Sequence, residues 1–122
     1  MKLLSLAILS LLAGCASNQP IEGPVRLGQV AYVGGPRVRA DRIIEDSRCP
    51  VEVQCVSEGR LIVLVTVLGG GWSQQRSIML GTPVHVADGS LTLVAATPAK
   101  RLAPPSGTPA PYRFTFQFQG GL

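Results

Sequence analysis

Past the first fifteen residues, apolar side chains recur at alternate positions or in short β-branched runs, and no stretch repeats them with the period of a helix. The end of the chain gives the clearest example. Tyr112, Phe114, Phe116 and Phe118 alternate with Arg113, Thr115, Gln117 and Gln119, which predicts a strand with one aromatic face in the core and one wet face. From Arg37 to Glu45 the even positions Val38, Ala40 and Ile44 are apolar, while Arg37, Arg39, Asp41 and Glu45 point the other way, as in a half-buried strand. Val25 to Val33 is apolar enough for a strand and is closed by Gly34-Gly35-Pro36. Leu61 to Leu68 (LIVLVTVL) is a nearly unbroken apolar run too short for a helix, and it predicts the central, most buried strand.

Turn residues punctuate these runs. Gly69-Gly70-Gly71 ends the apolar run, and Trp72 to Leu80 returns as its hairpin neighbour. After Gly81-Thr82-Pro83, the stretches Val84 to Ala87 and Ser90 to Ala96 flank Asp88-Gly89, a pair suited to the centre of a type I′ turn, where both residues take positive φ. Thr97 to Pro111 carries Pro98, Pro104, Pro105, Pro109 and Pro111, which lack the N–H a ladder needs and so predict a long exposed loop. Seven or eight short strands in about a hundred residues predict an all-β fold, a small antiparallel β-sandwich or barrel of immunoglobulin-like size.

The first fifteen residues follow another rule. Met1-Lys2 is a minimal positive segment, and Leu3 to Leu12 is a ten-residue apolar core, well short of the roughly 20 residues that span a bilayer as a helix. Small residues, Ala13 and Gly14, then precede Cys15. Leu12-Ala13-Gly14-Cys15 resembles the lipobox of bacterial lipoprotein precursors. The resemblance implies a diacylglyceryl thioether on Cys15, cleavage between Gly14 and Cys15, and acylation of the new amino terminus with a fatty acid such as palmitate. Ala16 stands where an Asp would mark retention at the inner membrane, so the resemblance implies an outer-membrane protein facing the periplasm. Two or three acyl chains, at about 0.8 kcal/mol per buried methylene, make such an anchor effectively permanent.

Removing residues 1–14 from the 122 of the chain leaves 108, enough for one small domain. The expected organisation is a cleaved signal peptide over 1–14, a lipidated N-terminus and tether over 15–24, and a single β domain over 25–122. The whole chain has eleven Lys and Arg against seven Asp and Glu, a formal charge of +4 that falls to +3 once Lys2 is removed. The basic residues are scattered and do not form the clustered face of a nucleic-acid-binding protein, so no nucleic-acid partner is expected.

With Cys15 assigned to lipid, Cys49 and Cys55 remain, and an even pair in an exported protein predicts a disulfide. It encloses five residues, so the bridge shapes a loop more than it holds a fold, at about 2 kcal/mol by loop-closure entropy. Glu45, Asp46, Glu52 and Glu58 lie near it with Arg48 and Arg60, a group that reads first as the solvated rim of a strand connection and alternatively as a polar recognition surface, in which case Arg48, Glu52 and Glu58 make it the candidate binding loop. The run Asp46-Ser47-Arg48-Cys49-Pro50, followed by Cys55-Val56 and Gly59, resembles the signature DSRCP…CVWAG of a family of small exported bacterial proteins of uncharacterised activity. That resemblance implies a single small β domain. This chain has Ser57-Glu58 where the signature has Trp-Ala.

Residues for common chemistries do not assemble in the sequence. His85 is the lone histidine, no Gly-x-Ser-x-Gly elbow is present, and Gly69-Gly70-Gly71 lacks the lysine of a phosphate-binding loop. Zinc requires three or four ligands at recognisable spacing, and thioredoxin-like pairs have two intervening residues where this one has five. The expectation is a non-enzyme with no catalytic residues, metal or cofactor. Its partners would be the membrane, through the lipid on Cys15, and a protein of the cell envelope. The competing expectation is a ligand-binding or hydrolase-inhibitor module displayed in the periplasm.

Overall fold

A computed structural model describes residues 22–102 and 110–121. Within them the alternating runs form seven strands: β1 (Val30–Tyr32), β2 (Arg37–Asp46), β3 (Leu61–Leu68), β4 (Ser73–Met79), β5 (Val84–Val86), β6 (Gly89–Thr97) and β7 (Arg113–Gln119). They make two antiparallel sheets, ordered β1-β2-β3-β4 and β5-β6-β7, a small all-β sandwich-like fold. The core lies between the sheets. Leu61, Val63, Val65 and Val67 of the central strand β3 point into it, and Leu91, Leu93, Phe114 and Phe116 fill it from the second sheet. The aromatic face expected on the last strand is thus buried, with Tyr112 and Phe118 packed at its two ends.

Each side of the sandwich is closed differently. Val25 pairs with Phe114 on the edge of β7 through two backbone hydrogen bonds, and three residues later the Gly28 N–H donates to the Ala40 carbonyl of β2 at 2.6 Å. The expected strand over Val25 to Val33 is therefore split. Gly28 (φ 84°) turns the chain from one sheet to the other, and only Val30–Tyr32 joins β2. On the opposite side, the Leu80 N–H donates to Leu61 O and the Gly81 N–H to Leu93 O, while Arg76 Nη1 of β4 donates to the His85 carbonyl of β5 at 2.9 Å. Arg76 thereby caps one carbonyl of an edge strand that would otherwise invite pairing with another chain.

Two further sequence expectations are corrected. In β2, register shifts at Ala40/Arg42 and Ile43/Glu45 insert one extra residue each, so Ile43 packs on the core and Ile44 is turned out, 43% exposed. A strict period of two had placed Ile44 inside, but a β-bulge exchanges the two faces until a second bulge restores them. In the β5–β6 hairpin, Val86 pairs with Gly89, so the two-residue loop is Ala87-Asp88, with positive φ at Ala87 (53°) alone. A type I′ turn centred on Asp88-Gly89 is excluded by that register. Gly89 is a glycine for another reason: a Cβ there would fall 2.2 Å from the Gln119 carbonyl oxygen.

Candidate functional site

At one end of the sandwich the sequence that distinguishes this chain is folded into a clasp. β2 terminates at Asp46, whose pairing with Leu61 aims its side chain to the inner side, toward the start of β7. Tyr112, one residue before β7, shares the inward parity of Phe114 and stacks on its ring at 5.8 Å. The two meet across the sheets: the Tyr112 hydroxyl donates to Asp46 Oδ2 at 2.6 Å. Arg48 adds a planar fork, Nε to Oδ1 at 2.9 Å and Nη2 to Oδ2 at 3.1 Å, and the same Nη2 donates to the Pro98 carbonyl at 3.2 Å. Lys100 Nζ donates to the Asp46 main-chain carbonyl. Both side chains of the pair are largely enclosed, 15% and 10% exposed for Arg48 and Asp46.

This geometry sets the protonation state. The Arg48 fork holds Asp46 down to a pKa of about 2, against burial, with the Tyr112 hydroxyl adding to the effect. Tyr112 is pushed up, first by burial and then by its bond to the carboxylate. Asp46 is therefore an anion at neutral pH, with a hydroxyl and a guanidinium both donating to it.

The cysteine loop grows out of this clasp as two antiparallel limbs. The Ser47 N–H donates to Arg60 O at 2.8 Å and the Cys49 N–H to Glu58 O at 2.9 Å. Gly59 sits in the returning limb with φ of 68°, and a Cβ there would lie 1.8 Å from the Ser47 carbonyl oxygen, so only glycine fits. The Glu45–Arg60 ion pair spans the limbs at 2.5 Å, but its side chains are 36% and 58% exposed and it contributes little. Beyond the limbs the Cys49–Cys55 disulfide closes the tip.

The chain after β6 is tied to the same loop. The Val51 N–H donates to Lys100 O at 3.0 Å, and the Leu102 N–H to Glu52 Oε2 at 3.0 Å, with Arg101 3.8 Å from the same carboxylate. The described part of the proline-rich loop thus lies along the cysteine loop, and its residues 103–109 lie outside the described residues.

The residues singled out from sequence take three different places. Arg48 is turned inward as a structural cation, Glu52 faces Arg101 and Leu102, and Glu58 lines a cleft with Arg48, Cys49, Gly59, Arg60, Leu61, Met79 and Leu80. Cys15 lies outside the described residues. Sequence reasoning placed Asp46 beside the cysteine loop without giving it a partner, and missed Tyr112, Pro98 and Lys100 as members of the site. A signal for the first was present: Asp46 continues the even, core-facing positions of β2, where a lone carboxylate needs a partner. For Pro98 and Lys100 no local signal exists.

The tip itself is apolar and projects into solvent. Val51 is 57% exposed, Val53 43%, Val56 109% and the neighbouring Leu102 66%. Among the described residues no group of three or more His, Cys, Asp or Glu is placed to hold a metal ion. What the arrangement does is hold a loop in one shape, with Arg48 directed back into the fold and its valine side chains outward. No family model matches this chain, and no curated protein or solved structure is detectably similar to it.

Proposed function

We propose that this protein is an outer-membrane lipoprotein, anchored through lipid on Cys15, whose β domain is not an enzyme but binds a component of the cell envelope. The observation that carries the binding role is the clasped loop. A disulfide, two limb hydrogen bonds and the Asp46–Arg48 fork fix a tip on which Val56 is wholly exposed. Ordering of such a loop has been done before any partner arrives, which removes part of the usual entropic cost of association. The anchor is supported by the lipobox-like Leu12-Ala13-Gly14-Cys15 and the ten-residue apolar segment before it.

Metabolic labelling with a radioactive or alkyne-tagged palmitate tests the anchor. The wild-type protein is expected to incorporate label and fractionate with outer membrane, whereas Cys15→Ala incorporates none and is recovered as a soluble or unprocessed form. Label on the Cys15→Ala protein in membrane fractions would refute the anchoring site.

A further inference from the structure

The run LIVLVTVL of β3 is apolar at both parities apart from Thr66, and the sandwich core takes only one of them. Val63, Val65 and Val67 are fully buried between the sheets, whereas Ile62, Leu64 and Leu68 lie half-buried on the outer face of the four-stranded sheet. The outer face of an antiparallel sandwich is ordinarily polar. Here β2 sets arginines beside the apolar side chains: Arg42 stands directly opposite Leu64, and Arg37 opposite Leu68. Tyr32, 44% exposed, is the neighbour of Arg37 on β1, and the bulge that turns Ile44 out adds one more apolar side chain. Charge of one sign is left over on this face. Arg39 pairs with Asp41 and Arg60 with Glu45, but among the described residues no carboxylate pairs with Arg37 or Arg42. The other five carboxylates of the chain lie elsewhere: Asp46, Glu52 and Glu58 at the clasp end, Asp88 in the β5–β6 turn and Glu22 where the described chain begins. The outer face of the three-stranded sheet is a contrast, because His85, Ser90, Thr92, Thr115 and Gln117 occupy it and Arg113 is the one formal charge among its strand residues.

Chain length says what this face meets. Glu22 is the seventh residue after Cys15, so a lipid on that cysteine lies at most about 25 Å of extended chain away. That is about the breadth of a domain of this size, and the bilayer is never out of reach. The described chain enters where Val25 pairs with β7 and Gly28 bonds to β2, at the side that both sheets share, so either outer face is free to lie down. Charge decides between them. We propose that the outer face of the four-stranded sheet docks on an anionic phospholipid surface. Arg37 and Arg42 lay their stems over Leu68 and Leu64 and reach headgroup phosphates, while Tyr32 and Ile44 sit at headgroup depth. This rests on the lipid anchor proposed above and adds which face the anchored domain turns to the bilayer. A second copy of the chain is the poorer occupant, because it would set arginine against arginine.

The test uses the mature protein purified from its own cells. Mass spectrometry of the N-terminal peptide first reports whether Cys15 is lipidated. The protein is then placed in nanodiscs of phosphatidylcholine alone, or of phosphatidylcholine and phosphatidylglycerol in equal parts, with a trace of lipid carrying a gadolinium chelate on its headgroup. Paramagnetic broadening of the amides is read by NMR. The two sheets pack about 10 Å apart and the broadening falls steeply with distance, so in the mixed discs β2 and β4 are expected to broaden at least about fivefold more than β6 and β7. The difference should vanish in phosphatidylcholine alone and in the Arg37→Gln, Arg42→Gln double variant, and should return in the corresponding Lys variant. Equal broadening of the two sheets in the mixed discs would overturn the docking, as would stronger broadening of β6 and β7. A difference that persists without phosphatidylglycerol or without the two arginines would overturn its chemistry. With Cys15 lipidated, any of these results removes the docking and leaves the anchor; an unmodified Cys15 removes the anchor and the docking with it.

Discussion

Asp46 is the residue on which the clasp end turns, because three chain segments reach it: the start of the cysteine loop through Arg48, the residue before β7 through Tyr112 and the segment after β6 through Lys100. Its pKa is lowered from the ordinary 3.8 to about 2, so its ionised form is favoured in the folded state. The sign follows directly: the stability it supplies is complete above about pH 4 and is lost as pH falls through that window toward about 2. Chemical denaturation at a series of pH values should show a decline over this range that is shallower in Asp46→Asn. An identical decline in the variant would mean that other carboxylates carry it. Asp41 and Glu45 are also lowered, which leaves a residual slope. At Asp41 burial opposes the shift but the bonds from Thr66 and Arg39 outweigh it, and at Glu45 the bond from Arg60 leads.

Gly59 is the second decisive residue. A left-handed φ and a backbone oxygen where a Cβ would stand predict that Gly59→Ala costs at least about 2 kcal/mol in urea denaturation. A loss under about 0.5 kcal/mol, typical of a surface change, would show that the limbs can separate freely.

At the scale of elements, β2 shows where reading by alternation works and where it stops. The strand itself was legible, as were β3, β4 and the aromatic face of β7, because burial of one face imposes the period. The bulges were not, although Arg42 at an even, core-facing position was their trace: a bulge after Ala40 is what turns Arg42 out and Ile43 in. The consequence is measurable. Ile43→Ala should cost about 1–2 kcal/mol, as the loss of three half-buried side-chain carbons, and Ile44→Ala within about 0.5 kcal/mol. Equal losses, or a larger one at Ile44, would restore the unbulged register. The clasp was illegible for a different reason. Asp46 and Tyr112 are 66 residues apart and Arg48 and Pro98 are 50 apart, so no local pattern links them. The disulfide, in contrast, followed from counting cysteines. The glycine at 59 stood out only through its place in the DSRCP-like signature, and the structure supplies the physical reason for it.

On the scale of the whole molecule, two parts do different work. The sandwich supplies stability, with β-branched and aromatic side chains closing an apolar core and the edges bridged by Val25 on one side and Arg76 on the other. The clasp end supplies shape. Its hydrogen bonds and ion pairs lie outside that core, so the loop can be loosened without unfolding the sheets, and a rigid loop on a rigid support is what a binding protrusion needs.

Amide hydrogen exchange in wild type and Arg48→Ala measures that division most directly. The Cys49 and Val51 N–H groups, bonded to Glu58 O and Lys100 O, should be protected in the wild type and exchange about thirtyfold faster in the variant, the equivalent of about 2 kcal/mol. The amides of β3 should be more protected than those of the loop in both proteins, and should lose no more than the loop does in the variant, because only global unfolding exposes them. Equal protection of loop and β3 in the wild type would contradict the account by making the clasp part of the global unfolding unit, and unchanged loop exchange in the variant would contradict it by leaving the clasp without a role.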